Sequence, residues 1–386
     1  MIYVHIPYCT QACYYCDFHF RVAMKDRDAM LAAMQKEITL RAPLNPPLWG
    51  EGIQTLYFGG GTPSVLSIDE LSGLLDTITQ YYMLAPDAEI TLEANPDDLT
   101  DEYLHGLHDL GFNRLSIGIQ SFFDDDLRWM NRRHSAHDAL QSVDAAHRIG
   151  FDNVNIDLMY GLPTMTQSRW EANLKQALAL DTPHLSAYHL TIEPRTVFGR
   201  QQMKGKDFSI PEDESIRQFE SLLDMMEKAG YEHYEISNFA RPGFRSRHNS
   251  AYWRQQPYIG IGPAAHSYDG QSRQWNISNN SQYIVGLMNA SISPFGKKQD
   301  FPWFEREQLT PVEQYNDYIL VSLRTAWGVD IEYIRKNFGK TFADSFLQQT
   351  NIHIQNGAMQ EQSGVFTLAR KGKIIADHIA SDLFFL

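Results

Sequence analysis

Short apolar, β-branched segments alternate with longer amphipathic segments through the first half of the chain. This alternation is typical of parallel strands joined by right-handed helical crossovers. The pattern predicts five helices near residues 26–42, 68–82, 100–110, 136–149 and 168–180. The six strands that flank them are expected at residues 2–6, 54–58, 89–93, 114–120, 153–159 and 184–190. Six βα units in this order predict an α/β fold, a partial (β/α)6 barrel of the TIM type.

The second half of the chain is less regular. A helix is expected near 212–229, followed by a polar, aromatic and loop-rich stretch from 231 to 253. From about residue 301, helical patterns surround one strand-like segment at 365–369, and the last helix ends near residue 383. We therefore expect a barrel domain at 1–240, a connecting segment at 241–300, and a small helical domain resembling a winged helix at 301–386.

Charge and composition exclude several classes of protein. The chain has 386 residues, 43% of them hydrophobic, and a net charge of −14. Since it carries no basic run, we expect no nucleic-acid partner. The N-terminal residues show neither a signal peptide nor an apolar stretch that could span a membrane, so a cytoplasmic protein is expected.

All three cysteines lie in one loop directly after the first predicted strand, as Cys9, Cys13 and Cys16. Their odd number and close spacing argue against disulfides and favour a metal site. Three thiolates can hold three corners of a four-iron cluster, which leaves the fourth iron open to an external ligand. The alternative is a structural zinc site of the Cys₃His type, with His5 or His19 as the fourth ligand.

Polar residues recur where the predicted strands end, which is the active-site face of a barrel. The second strand ends in the glycines 59–61, whose backbone can approach a ligand closely. Glu93, Gln120 and Asp157 close later strands, and Arg132 follows the fourth. Burial of these carboxylates is costly without a hydrogen-bond donor, and the hydroxyl groups of a ligand could be such donors. Taken one at a time, each of these residues could instead cap a helix or form a salt bridge.

The spacing Cys-x₃-Cys-x₂-Cys after the first strand of such a barrel resembles the signature of the radical SAM superfamily. The resemblance implies a [4Fe-4S] cluster whose open iron is chelated by S-adenosylmethionine (SAM). It also implies that an electron from the cluster can break a C–S bond of SAM to give a 5′-deoxyadenosyl radical. The cofactor carries that chemistry, and the protein positions it and excludes solvent.

Longer motifs resemble the oxygen-independent coproporphyrinogen III oxidase group of porphyrin biosynthesis. They begin at Tyr3, Gly59, Arg114 and Asp157, and the likeness extends through nearly the whole chain. It implies contacts with one SAM from Tyr3, Gly60, Glu93 and His266. Contacts with a second SAM are implied for Tyr15, Gly61, Thr62, Gln120, Arg132, Asp157 and Thr191.

Two features depart from the oxidase pattern. Phe18 stands where the oxidase has a further cysteine, and the chain starts at the first strand without the oxidase's N-terminal extension. Both are typical of the oxidase-like heme chaperones of the HemW group. The segment from His248 to Trp253 also resembles their HNxxYW motif. This resemblance implies heme as cargo, with His248 as a candidate ligand, and an acceptor protein such as a respiratory enzyme.

Two other functions stay open at the level of sequence. The first is a true coproporphyrinogen III dehydrogenase that decarboxylates two propionates, whose carboxylates Arg241, Arg245 and Arg247 could hold. The second is a radical SAM enzyme that methylates and opens heme.

Overall fold

The computed structural model describes residues 1–42, 52–290 and 303–386. Within these residues a nine-stranded sheet dominates, and six strands follow one another in chain order as parallel neighbours. They are β1 (Ile2–Ile6), β2 (Ile53–Gly60), β3 (Leu84–Ala94), β4 (Arg114–Gln120), β5 (Val154–Tyr160) and β6 (His184–His189). The predicted partial barrel is therefore confirmed.

Helices cover the outside of this sheet. They are α1 (Arg27–Arg41), α2 (Ile68–Tyr81), α3 (Asp101–Asp109), α4 (Asp124–Trp129), α5 (Ala136–Ile149) and α6 (Gln167–Ala179). Their start signals are local: Ser67 and Ser135 each accept a hydrogen bond from the backbone three residues on, in capping boxes with Glu70 and Asp138. The buried side chains of Leu56, Leu92 and Ile156 are part of the core beneath the helices.

The stretch 231–253, which the sequence predicts to be rich in loops, contains more regular structure than expected. After α7 (Val197–Gln202) and α8 (Glu212–Lys228) come β7 (Glu232–Glu235), β8 (Asn238–Ala240), α9 (Arg247–Trp253), β9 (Ile259–Ile261) and β10 (His266–Tyr268). The loop prediction was wrong because elements of three to seven residues are too short to show a hydrophobic period.

These short elements complete the large sheet. β8 pairs antiparallel with β6 at one edge, and β9 pairs parallel with β1 at the other. Beyond them lie β11 (Ser272–Asn276), α10 (Asn280–Asn289) and β12 (Phe304–Gln308), and β11 pairs with both β10 and β12. The expected boundary between residues 300 and 301 lies outside the described residues.

The C-terminal part is built around its own core. Its elements are α11 (Pro311–Leu323), β13 (Val329–Asp330), α12 (Ile331–Asn337), α13 (Lys340–Gln355), β14 (Met359–Gln362), β15 (Val365–Leu368), α14 (Arg370–Lys373) and α15 (Ala376–Asp382). Ile319, Phe346 and Phe366 lie in this core. The Arg324 guanidinium, 3.0 Å from the Glu235 carboxylate, ties it to the barrel.

No helix in the described ranges combines the length and the apolar character needed to cross a membrane.

Candidate functional site

The cysteine loop leaves β1 at the C-terminal end of the sheet. Its base is closed by two backbone hydrogen bonds, from Arg21 to Pro7 at 2.9 Å and from Cys9 to Arg21 at 3.1 Å. Cys9 is buried, whereas Cys13 and Cys16 are partly exposed, and all three thiols are free. The loop therefore presents three sulfur ligands at the face where barrel enzymes keep their chemistry.

Two of the sulfurs receive hydrogen bonds from other segments. The Thr62 hydroxyl donates to Cys9 Sγ at 3.3 Å, and the Arg132 guanidinium donates to Cys13 Sγ at 3.2 Å. The same guanidinium reaches Asn95 Oδ1 at 2.7 Å, which fixes its position. Donors aimed at the ligand sulfurs are one way in which proteins tune iron–sulfur clusters.

Burial raises the pKa of the Cys9 thiol to about 12 and that of Cys16 to about 11. The thiols are therefore protonated unless cations compensate the charge, and ligation to iron is what removes such protons. A donor set of three thiols with hydrogen-bonded sulfurs fits a four-iron cluster.

The zinc alternative fits less well. Both ring nitrogens of His5 already have protein partners, the Tyr3 hydroxyl at 3.1 Å and the backbone oxygen of His19 at 2.8 Å. His19 Nε2 lies 2.7 Å from Asn280 Oδ1. Among the described residues, no three His, Cys, Asp or Glu side chains converge on one ion. A mononuclear zinc needs such convergence, whereas in a four-iron cluster each thiolate binds a different iron.

The glycines at the end of β2 form a close cradle. Gly60 has φ +106°, and a Cβ there would lie 2.6 Å from the His5 ring. A Cβ on Gly61 would lie 2.6 Å from the backbone oxygen of Tyr8. Since only glycine fits either position without displacing β1 or the cysteine loop, the backbone comes close to whatever the loop binds.

Glu93 lies beside this cradle at the end of β3. Its carboxylate accepts hydrogen bonds from the Tyr57 hydroxyl at 2.7 Å and from the Gly60 backbone N–H at 3.2 Å. Burial, reinforced by the nearby Asp157, raises the pKa of Glu93 to about 7. The side chain can therefore hold or release a proton near neutral pH.

Asp157 lies deeper in the barrel. Its carboxylate accepts from Asn155 Nδ2 at 2.9 Å and from the Ser116 hydroxyl at 3.4 Å, and burial raises its pKa. The buried guanidinium of Arg114 partly offsets this effect, as it does for Glu93. Arg114 thus supplies positive charge inside a barrel that contains two carboxylates.

A cavity of about 780 Å³ opens beside the cysteine loop, lined by Tyr3, Cys13, Cys16 and His266 among others. The structure thus brings Tyr3 and His266, which belong to the first predicted SAM set, to the cysteines. Gly60 and Tyr57 both donate to the Glu93 carboxylate, and the Tyr57 ring stacks on Tyr3 with centroids 6.1 Å apart.

Part of the second predicted SAM set lies around Arg132, because the Arg132 guanidinium and the Thr62 hydroxyl both hydrogen-bond to Asn95. Tyr15 hydrogen-bonds to Arg132, and Gln120 is buried with φ +69°. Thr191, however, lines a different cavity, between the end of β6 and the C-terminal helices. The structure therefore does not gather the whole set in one pocket.

His248, the predicted heme ligand, lies inside the barrel and is only 1% exposed. Its Nδ1 atom lies 2.7 Å from the Thr55 hydroxyl, and its ring stacks on Tyr57 with centroids 4.9 Å apart. Glu89 anchors the helix by accepting hydrogen bonds from the backbone N–H groups of Arg247 and His248, each at 3.0 Å. Heme could reach this ring only if α9 moved, so ligation by His248 stays a prediction.

Sequence reasoning missed three contributors: Tyr57, Thr55 and Arg114. Thr55, Tyr57 and Gly59 are spaced two residues apart on β2, so they share one face of the strand. The spacing therefore could have indicated Thr55 and Tyr57 once Gly59 was assigned to the site. Arg114 was part of a recognised motif, but an arginine at a strand start carries no signal that it points inward.

The chain is similar in sequence to several known proteins. Residues 3–177 match the model of the radical SAM superfamily. The chain is 34% identical to the heme chaperone HemW of Bacillus subtilis (strain 168) over 98% of this chain and 97% of that protein. It is 37% identical to the heme chaperone HemW of Escherichia coli (strain K12) over 69% of each chain.

A solved structure shares the fold. The coproporphyrinogen III oxidase HemN from Escherichia coli, a radical SAM enzyme, aligns with a TM-score of 0.83 and 26% identity. The alignment covers 99% of this chain and 89% of that one.

Proposed function

The chain belongs to the family of HemW heme chaperones within the radical SAM superfamily, and from that premise we propose that it binds heme and hands it to an acceptor protein. One observation carries the proposal. Identity to a HemW protein is 34% across nearly the full length of both chains, whereas identity to the structurally similar oxidase is 26%.

The chain's own residues would hold the cofactors of the superfamily. Cys9, Cys13 and Cys16 would ligate a [4Fe-4S] cluster, which supplies an iron open to SAM. The backbone of Gly60 and Gly61 leaves room for SAM to approach closely. Glu93 lies at the edge of this glycine backbone and has a pKa of about 7, so its side chain is partly protonated at neutral pH.

Phe18 supports the distinction from the oxidase. It lines the cavity beside Cys16, and its side chain is 71% exposed. An exposed aromatic ring at the rim offers an apolar contact for a flat macrocycle, whereas the oxidase has a sulfur at the corresponding place.

We further propose that the protein works in the cytoplasm, where a reducing environment keeps the three thiols available, and that the acceptor is a heme protein such as a respiratory enzyme.

Anaerobic titration of the cluster-loaded protein with hemin tests the proposal, with and without SAM. We expect about one heme per chain, and transfer to an added apo-cytochrome followed by its absorbance. A parallel incubation with coproporphyrinogen III, SAM and a reductant should release no CO₂. A flat titration would refute the chaperone function, and release of CO₂ would favour the dehydrogenase.

A further inference from the structure

A second large cavity lies away from the cysteine loop. It has a volume of about 650 Å³ and is bounded by the end of β6, by α8, by the turn between β7 and β8, and by the helices α14 and α15. We propose that this cavity, called here the β6 cleft, is the heme-binding site of the chain and that His189 is the axial ligand of the iron. The inference rests on the proposed function.

The walls of the β6 cleft suit a flat, largely apolar macrocycle. Tyr188 and Ile375 line it from opposite parts of the chain, and each exposes 42% of its surface. Tyr160, Ile216 and Phe219 add apolar surface from β5 and α8. Large side chains that stay exposed within a concave site indicate a ligand that covers them.

His189 is prepared to act as a ligand. Its Nε2 atom lies 2.7 Å from the Ser215 hydroxyl on α8, and its ring packs edge-on against Tyr160 with centroids 5.1 Å apart. Burial lowers the pKa of the His189 ring, so the imidazole is neutral near pH 7. In the tautomer that accepts a hydrogen bond from Ser215, Nε2 carries the lone pair, and iron would take the place of the hydroxyl when that side chain rotates away.

The opposite wall supplies a second nitrogen and a cation. His378 on α15 lines the same cleft with 74% of its side chain exposed, and its Nε2 atom lies 3.7 Å from the Asp382 carboxylate. The Lys373 ammonium lies 2.9 Å from His233 Nδ1, and among the described residues it forms no ion pair, so it is available for a propionate. The acidic groups of the cleft are Glu212 and Asp377, and Asp377 is already paired with Arg324 at 3.1 Å.

Competing locations are less suitable. His248 is enclosed by Thr55 and Tyr57, and the cavity beside the cysteine loop has to accommodate the cluster and SAM. The β6 cleft is lined by none of the cysteines and by only one of the predicted SAM contacts, Thr191. Heme bound there would leave the cysteine loop and the other predicted SAM contacts free.

The test uses the full, cluster-loaded chain titrated anaerobically with hemin, with affinity and absorbance spectrum as readouts. His189→Gln should weaken binding at least tenfold and change the spectrum of the bound heme, and added imidazole should restore the wild-type spectrum. Ser215→Ala should tighten binding about fivefold, because the hydroxyl no longer competes with iron for Nε2. His137→Gln, which changes an exposed histidine on α5, serves as the matched control.

A further variant tests the site without changing His189, in case His189→Gln does not fold. Ile375→Trp fills the cleft from its exposed wall and leaves His189 intact, and it should weaken heme binding while the cluster chromophore and the melting temperature stay unchanged.

The outcomes separate the two proposals. If the wild type takes up no heme, the proposed function and the site both fail. If the wild type binds heme but His189→Gln and Ile375→Trp bind it with unchanged affinity and spectrum, the site is refuted and the chaperone function stands. Loss of binding in His248→Gln alone would place heme at α9 instead.

Discussion

Replacing Glu93 by glutamine should make the SAM-free protein more stable at pH 8, although it removes a charged group from the site. The pKa of this carboxyl rises from its usual 4.5 to about 7 in the folded chain, chiefly through burial. Between these two values the unfolded chain has released the proton and the folded chain still holds it. The free energy of unfolding therefore falls as the pH rises from 4.5 to 7, by about 3 kcal/mol.

Glutamine does not ionise, so the variant escapes this loss. Its single amide oxygen can replace only one of the two acceptors that serve Tyr57 and the Gly60 N–H, which costs about 1 kcal/mol. The net gain at pH 8 is about 2 kcal/mol, or roughly 2.5 °C in melting temperature for a chain of this length. At pH 4.5 the gain should vanish, and the variant should be slightly less stable than the wild type.

Thermal unfolding of both proteins across this pH range measures the effect. Glu89→Gln is the matched control, because Glu89 accepts two backbone N–H groups of α9 and its replacement should lower the melting temperature instead of raising it. SAM binding to Glu93→Gln should weaken about tenfold, since hydrogen bonds to charged groups contribute more than neutral ones. A difference in stability between Glu93→Gln and wild type that does not change with pH would refute the reasoning.

Three further predictions concern the cluster and its cradle. Cys13→Ala should abolish the brown chromophore after anaerobic reconstitution, and stoichiometric zinc without iron in the wild type would contradict the cluster assignment. Thr62→Val removes the hydroxyl that donates to Cys9 Sγ and should lower the reduction potential by about 40 mV, measured by electron paramagnetic resonance during a redox titration. Gly61→Ala, whose Cβ would lie 2.6 Å from a backbone oxygen, should weaken SAM binding at least tenfold in calorimetry, whereas the control Gly73→Ala on α2 should bind as the wild type does.

The pattern of apolar residues predicted the barrel, and the cysteine spacing predicted the place of the cluster. The bounds predicted for β1 and β4 match the observed strands, because a buried parallel strand is marked by its own run of apolar residues. The helix expected near 136–149 matches α5, whose start is marked locally by Ser135 and Asp138, three residues apart in a capping box. The cysteine loop was equally visible, since all three ligands lie within eight residues and need no distant partner.

Contacts between side chains that are far apart in the chain became visible only in the folded structure. Arg132 joins Cys13 to Asn95, and Tyr57 reaches Glu93, through side-chain directions that no local pattern encodes. The HNxxYW motif marked His248 as a ligand, but packing against Thr55 and Tyr57 encloses it. The β6 cleft forms between His189 and Ile375, which are far apart in the chain. Such sites depend on how separate elements pack, and packing is a property of the whole fold rather than of any segment.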